Sequence, residues 1–154
     1  MSTPEKSPPQ IRLLLVDDHE LVRLGLRWVL RDSSAYAVIA EASTIAEALQ
    51  YAIDVRPDVV VMDIELPDGS GLRATRALRR ALPNIGIVIL TVDDGRAHLL
   101  DALYAGASGY VSMSSPAADV LTAIRHAAEM PLAFAAAGLA SAVRQRLETP
   151  PGAV

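Results

Sequence analysis

The sequence predicts a three-layer α/β sandwich, in which a five-stranded parallel sheet carries helices on both faces. Two observations lead there. Short, almost continuous apolar runs recur at residues 11–16, 36–42, 58–63, 85–91 and 109–112. Each is followed by a segment with helical spacing, at residues 19–31, 44–55, 71–82, 95–105 and 116–129. Runs this apolar fit strands buried on both faces, and parallel neighbours need a crossover between them, which the intervening helices supply. The helix starts carry suitable chemistry. Ser43 or Thr44 can cap the second helix, and Ser115 before Pro116 suits a cap followed by proline at the first helical position.

Length and composition bound the rest. A chain of 154 residues fits one domain with a tail. With 51% hydrophobic and 21% charged residues it has the composition of a folded protein, and it is expected to fold alone. The formal net charge of -4 offers no basic field for a phosphate backbone, so this segment is not expected to bind nucleic acid unaided. Cysteine is absent and the first residues lack a charged-then-apolar leader, for which a reducing cytoplasm is the simplest home. Residues 1–10, with three prolines, read as a flexible arm. Residues 11–130 hold the five strands and helices, and residues 131–154 read as a linker or helical tail. The alanine-rich part of that tail is too short to span a bilayer. A further helix is expected over 133–147, bent near Gly138, before Thr149-Pro150-Pro151-Gly152 ends regular structure.

Ligands of open parallel sheets bind outside the C-terminal strand ends, and here those ends carry acids. Asp17 and Asp18 close the first strand, Asp63 the third and Thr91 the fourth, while the fifth runs through Tyr110 to Met113. Two carboxylates about 4 Å apart repel by roughly 1 kcal/mol in water and about 4 at an intermediate dielectric, so such a cluster calls for a cation or protons. A hard divalent metal such as Mg2+ suits carboxylate oxygens and phosphate. A bland account stands beside each assignment. An Asp-Asp pair can be a solvated turn, Thr91 can satisfy backbone groups, and Tyr110 can be core packing. An acid at the tip of the buried Val59-Val60-Val61 run is costly without a role. His19, His98 and His126 show no metal-ligand spacing and read as surface or capping residues, and Asp93 and Asp94 as loop and cap acids.

Four stretches carry a resemblance to a known family: Leu14-Leu15-Val16-Asp17-Asp18-His19; Val60-Val61-Met62-Asp63-Ile64-Glu65-Leu66-Pro67-Asp68-Gly69; Val88-Ile89-Leu90-Thr91; and Ala105-Gly106-Ala107-Ser108-Gly109-Tyr110-Val111. Together they resemble the receiver domain of two-component response regulators, from about Ile11 to Glu129. The opening Val-Asp-Asp-His-Glu-Leu-Val-Arg is similar to the NarL/FixJ (LuxR-type) subfamily. The resemblance implies a flavodoxin-like sheet of order 2-1-3-4-5 and a phosphoryl group accepted on Asp63 from a histidine kinase. It also implies Mg2+ held by Asp17, Asp18, Asp63 and the backbone carbonyl of Glu65, with Thr91 and Tyr110 as switch residues. By the same resemblance the domain is a regulatory phosphoacceptor with at most slow self-dephosphorylation, able to form a homodimer through its first and fifth helices or its fourth-helix side.

One position departs from the family. The residue aligned with the usual lysine after the fifth strand is Met113, which has neither charge nor donor. The alternative is therefore a receiver that works without phosphorylation, as an interaction or dimerisation module. A flavin carrier of the same topology is disfavoured, because the loop Asp17-Asp18-His19-Glu20 repels phosphate unless a metal intervenes. An aspartyl phosphatase is disfavoured because Leu66-Pro67 follows Glu65 where a second catalytic aspartate is needed. DNA contact is expected only through a C-terminal helix-turn-helix that this chain does not hold, since no such unit fits after Glu129.

Overall fold

A computed structural model describes residues 9–92 and 97–148. The core strands are β1 (Ile11–Val16), β2 (Tyr36–Ala42) and β3 (Val59–Asp63). A short hairpin of β4 (Glu65–Leu66) and β5 (Gly69–Ser70) follows, then β6 (Gly86–Thr91), β7 (Gly109–Ser112) and β8 (Ala135–Ala136). The helices are α1 (Glu20–Leu30), α2 (Ile45–Val55), α3 (Gly71–Ala81), α4 (Leu99–Ala105), α5 (Ala117–Glu129) and α6 (Leu139–Glu148). The main sheet has the order β2-β1-β3-β6-β7-β8, every pair parallel. Its first five positions reproduce the expected 2-1-3-4-5 order. The sixth, β8, is an addition from the tail.

The period of two along each strand divides the core into two layers. Leu14, Val16, Val60, Met62, Ile87 and Ile89 face one way, against Ala48 and Ala52 of α2, Ala74 and Leu78 of α3, and Leu99 and Ala102 of α4. Leu13, Leu15, Val59, Val61, Val88 and Leu90 face the other way, against Leu26 and Leu30 of α1 and Val120, Ile124 and Ala127 of α5. These strand residues are at most 2% exposed, and each Leu, Ile or Val so buried contributes about 1.5–3 kcal/mol of transfer free energy. Strand β2, at one edge, is only half-buried in its interior, as an edge strand should be. Among the described residues no helix is long and apolar enough to cross a membrane.

The helix starts refine the sequence-based expectations. Thr44 is the N-cap of α2 and its hydroxyl accepts from Glu47 N, while Glu47 Oε1 accepts from Ser43 N at 3.1 Å. At α5, Ser115 was the expected cap; the structure instead puts Pro116 in the cap position, extended and without a side-chain bond, and the helix begins at Ala117. The expected beginning of the fourth helix at Gly95, together with Asp93 and Asp94, lies outside the described residues, and α4 is regular from Leu99. Residues 1–8 and 149–154 are likewise outside them. The tail was expected to hold a helix over 133–147; α6 forms only after Gly138, whose φ of 81° suits glycine, and β8 precedes it.

Candidate functional site

The sheet order reverses beside β1, with β2 to one side and β3 to the other, and the crevice above such a point is where parallel sheets bind ligands. Register brings Val16 opposite Met62, so the next residue on each strand, Asp17 and Asp63, reaches the same crevice. Asp17 is 3% and Asp63 8% exposed, and Asp18 is partly open to solvent. Carboxylate oxygens of Asp17, Asp18 and Asp63, together with a ring nitrogen of His19, all lie within 4.8 Å of one another.

Each side chain is fixed by its neighbours. Asp17 Oδ1 accepts from His19 N at 2.8 Å and lies 3.0 Å from His19 Nδ1. The carbonyl of Asp17 accepts from Arg23 of α1, whose Nε also donates to Glu41 of β2 at 3.1 Å, so α1 and β2 both hold the end of β1. Asp63 Oδ1 accepts from Glu65 N at 3.3 Å. Behind Asp63 the chain doubles back through the β4–β5 hairpin, and Gly71 N donates to Ile64 O at 2.7 Å. A Cβ on Gly71 would come within 2.1 Å of the Asp63 carbonyl oxygen, so only glycine admits this close return. At the hairpin tip, Asp68 accepts from Ile45 N at 2.8 Å and Ala46 N at 3.1 Å, tying the loop to the start of α2 and drawing its own pKa down.

Burial first, and the nearby charge of Asp17 second, push the Asp63 carboxyl up to about 6, against the opposing pull of the Glu65 and Ile64 amides. The imidazole of His19 is raised by its hydrogen bond to Asp17 and the charge of Asp18. The crevice thus holds more negative charge than its own donors satisfy. Three carboxylates from two strand tips are the hard oxygen set that Mg2+ takes, so the residues fit such an ion.

The remaining predicted positions fall around this crevice. Asp63 pairs with Leu90, which places Thr91 one residue further along β6 at the same end of the sheet, 1% exposed. Tyr110 lies in register with Ile89 and is 7% exposed, packed in the layer under α4. Met113 N donates to Thr91 O at 2.7 Å, while its side chain lines a groove between α1 and α5 with Leu21, Val22 and Val120. Glu65 stands in β4 with its side chain exposed. Of the histidines read as surface or capping, His98 occupies the α4 cap position without a capping bond, and His126 meets Ala133 O at 2.6 Å. His19, two-thirds exposed, also turns its ring to the acids, which sequence spacing did not show.

Comparisons with known proteins agree with this geometry. Residues 13–125 match the family model of the response regulator receiver domain. The chain is 41% identical over 115 residues to response regulator GacA of Pseudomonas viridiflava, covering 75% of this chain and 54% of that protein. It is 39% identical over 115 residues to the DNA-binding transcriptional activator DevR/DosR of Mycobacterium tuberculosis, covering 75% of this chain and 53% of that one. The crystal structure of a LuxR-family two-component response regulator from Aurantimonas sp. superposes with a TM-score of 0.80 at 38% identity, covering 88% of this chain and 96% of that one. The chain spans about half the length of the curated relatives it matches. With the acids gathered at the switch point of a 2-1-3-4-5 sheet and these likenesses over most of its length, the chain belongs to the receiver-domain family of two-component response regulators, on its NarL/FixJ (LuxR-type) branch.

Proposed function

We propose that Asp63 accepts a phosphoryl group from the phosphohistidine of a partner kinase. One observation carries this reading: a buried carboxylate at a strand tip, pushed up to about 6 by burial and by Asp17, in a crevice open to solvent on the Asp18 and His19 side. In its ionised form an Asp63 oxygen attacks phosphorus, a P–O bond forms, and the N–P bond breaks with its electron pair returning to the imidazole. Asp17, Asp18, Asp63 and the Glu65 backbone carbonyl would hold Mg2+, whose positive charge offsets the carboxylates and the phosphoryl oxygens. Thr91, at the same end of the sheet, hydrogen-bonds the new phosphoryl group, and Tyr110 follows its hydroxyl. The domain is a regulatory phosphoacceptor of the cytoplasm and dephosphorylates slowly at most. In a parent protein it would govern a C-terminal DNA-binding unit, as the likeness to a DNA-binding activator suggests.

Met113 is the observation that favours a second reading, a receiver that docks or dimerises without phosphorylation. Beryllofluoride with Mg2+ separates the two. Binding that Asp63→Asn abolishes supports the phosphoacceptor; a wild-type chain that takes up none supports the constitutive module.

A further inference from the structure

The segment after α5 is fastened too closely to be a passive connection. Its first carbonyl, that of Pro131, accepts from the hydroxyl of Ser108 and from Arg79 Nη2 at 3.3 Å. Ser108 is fully buried, and its Oγ in turn accepts from Ile87 N at 3.0 Å, so one hydroxyl joins β6 to the tail. His126 holds Ala133 O. Ala135 N then donates to Ser108 O at 3.1 Å, and β8 pairs with the outer edge of β7, Gly109 opposite Ala135 and Tyr110 opposite Ala136. Beyond Gly138, α6 packs on α4 and buries Ala142.

This path runs over the proposed switch. Phe134, Ala136 and Leu139 pack against the same apolar layer that contains Tyr110, Leu99 and Ala102. A cavity of about 680 Å³ opens at this edge between Tyr110, α5 and residues 135–138, so the ring lies between a packed layer and an open space that the tail walls. Docking of the tail completes the packing of the inward ring. The ladder itself is short, two pairs between small residues, so the part of the tail beyond Ala133 can open locally while the bonds at Pro131 hold its start.

We propose that residues 131–148 form a strap over Tyr110, coupled through that ring to Asp63, so that strap docking and phosphoryl acceptance favour one another. A group on Asp63 that holds the Thr91 hydroxyl leaves room on the Tyr110 side and so favours the buried ring position, 7% exposed, that the docked strap completes. By linkage the strap then strengthens acceptance by as much as acceptance strengthens the strap. The coupling rests on the assignment of Asp63, Thr91 and Tyr110 above; the strap rests on its own pairing.

The full chain, Ala135→Pro and Ala142→Glu are treated with a tyrosine-nitrating reagent, and modification is counted per tyrosine by mass spectrometry. Tyr104, 70% exposed, reports reagent strength, and Tyr36, 7% exposed at the opposite edge, reports the integrity of the sheet. Tyr110 is expected to react at least tenfold faster in both variants with Tyr36 unchanged, and beryllofluoride affinity to fall about fivefold. If Ala135→Pro also exposes Tyr36, Ala142→Glu decides, because it lifts α6 from α4 without touching the ladder. Tyr110 protected as in the wild type overturns the strap, and accelerated Tyr110 with unchanged beryllofluoride affinity overturns the coupling. A wild-type chain that takes up no beryllofluoride overturns the Asp63 assignment and the coupling with it, while the tyrosine pattern still decides the strap.

Discussion

Two aspartates stand at the two ends of β3 and meet opposite fates. Asp58, just before the strand, accepts from Arg12 N at 2.8 Å and returns its own N–H to Arg12 O at 2.8 Å. The guanidinium of Arg12 meanwhile spans the Val55 and Arg56 carbonyls at the end of α2, 2.7 Å from each, where a cation is favoured. Asp58 and the Arg12 guanidinium both find partners of the protein's own making there. Asp63, at the other end of the strand, faces two further carboxylates, and the amides of Glu65 and Ile64 do not offset its burial and the charge of Asp17. The same residue type at the two ends of one strand is structural where the fold completes its electrostatics, and is left crowded at the other end, where the proposed function has a ligand complete them.

The sharpest way to break this contrast is to neutralise each acid in turn. Asp63→Asn should lower beryllofluoride affinity by more than about a hundredfold, the loss expected when the bonding oxygen is replaced. Asp58→Asn should leave that affinity unchanged. Titration calorimetry in Mg2+ reads both, and equal losses would end the distinction between the two ends of the strand.

Adding the missing cation is the next largest perturbation. Met113→Lys brings an ammonium to the position beside Thr91. A hydrogen bond to a charged group is worth about 1.5–3 kcal/mol, so beryllofluoride should bind roughly tenfold to a hundredfold tighter. The half-life of acyl phosphate on Asp63 should change with it. Unchanged affinity would mean that a side chain seated in the α1–α5 groove does not turn toward the crevice.

What the sequence disclosed follows the range of each interaction. β1, β3 and β6 were legible because a strand buried on both faces is almost continuously apolar, with Arg12 near the exposed start of β1 the exception, and the acids closing β1 and β3 because they end such a run. The order of strands and the role of each acid came from motif resemblance, and the comparisons support the first. Strand β8 was not legible: two alanines carry no strand signal, and they pair only because β7 offers an open edge. The bond of Asp68 to α2 was hidden for a similar reason, since its partners lie 23 and 22 residues away and the local pattern reads simply as a turn. Nor does spacing reveal that His19 turns back to Asp17 rather than outward.

A smaller effect tests the electrostatics of the crevice without any phosphoryl group. The carboxyl of Asp63 is raised from 3.8 to about 6 in the fold, so the native state holds its proton more tightly than the unfolded chain does. Stability should therefore decline as pH rises from about 4 to 6 and level off above, the reverse of the usual salt-bridged carboxylate. Because the crevice is open on its outer side, the loss is on the order of 1–2 kcal/mol rather than the full value of the shift. Asp63→Asn should flatten that part of the profile and raise the metal-free denaturation midpoint, and millimolar Mg2+ should recover the same stability in the wild type. A wild-type profile already flat between pH 4 and 6 without metal would contradict the charge crowding described here.

The smallest effect belongs to the other end of β3. Asp58→Ala removes the acceptor of Arg12 N at an exposed position, where water takes its place, so the cost is that of one ordinary hydrogen bond, about 1 kcal/mol. That cost should be the same with and without Mg2+, since every partner of Asp58 lies at the far end of the strand from the acid crevice. Urea denaturation of Asp58→Ala and the wild type with and without the ion gives the discriminating measurement: a Mg2+-dependent effect for Asp58→Ala would show that the ends of the strand communicate. If the effect does not depend on the ion, charge completed within the fold at one end is independent of charge left for a ligand at the other.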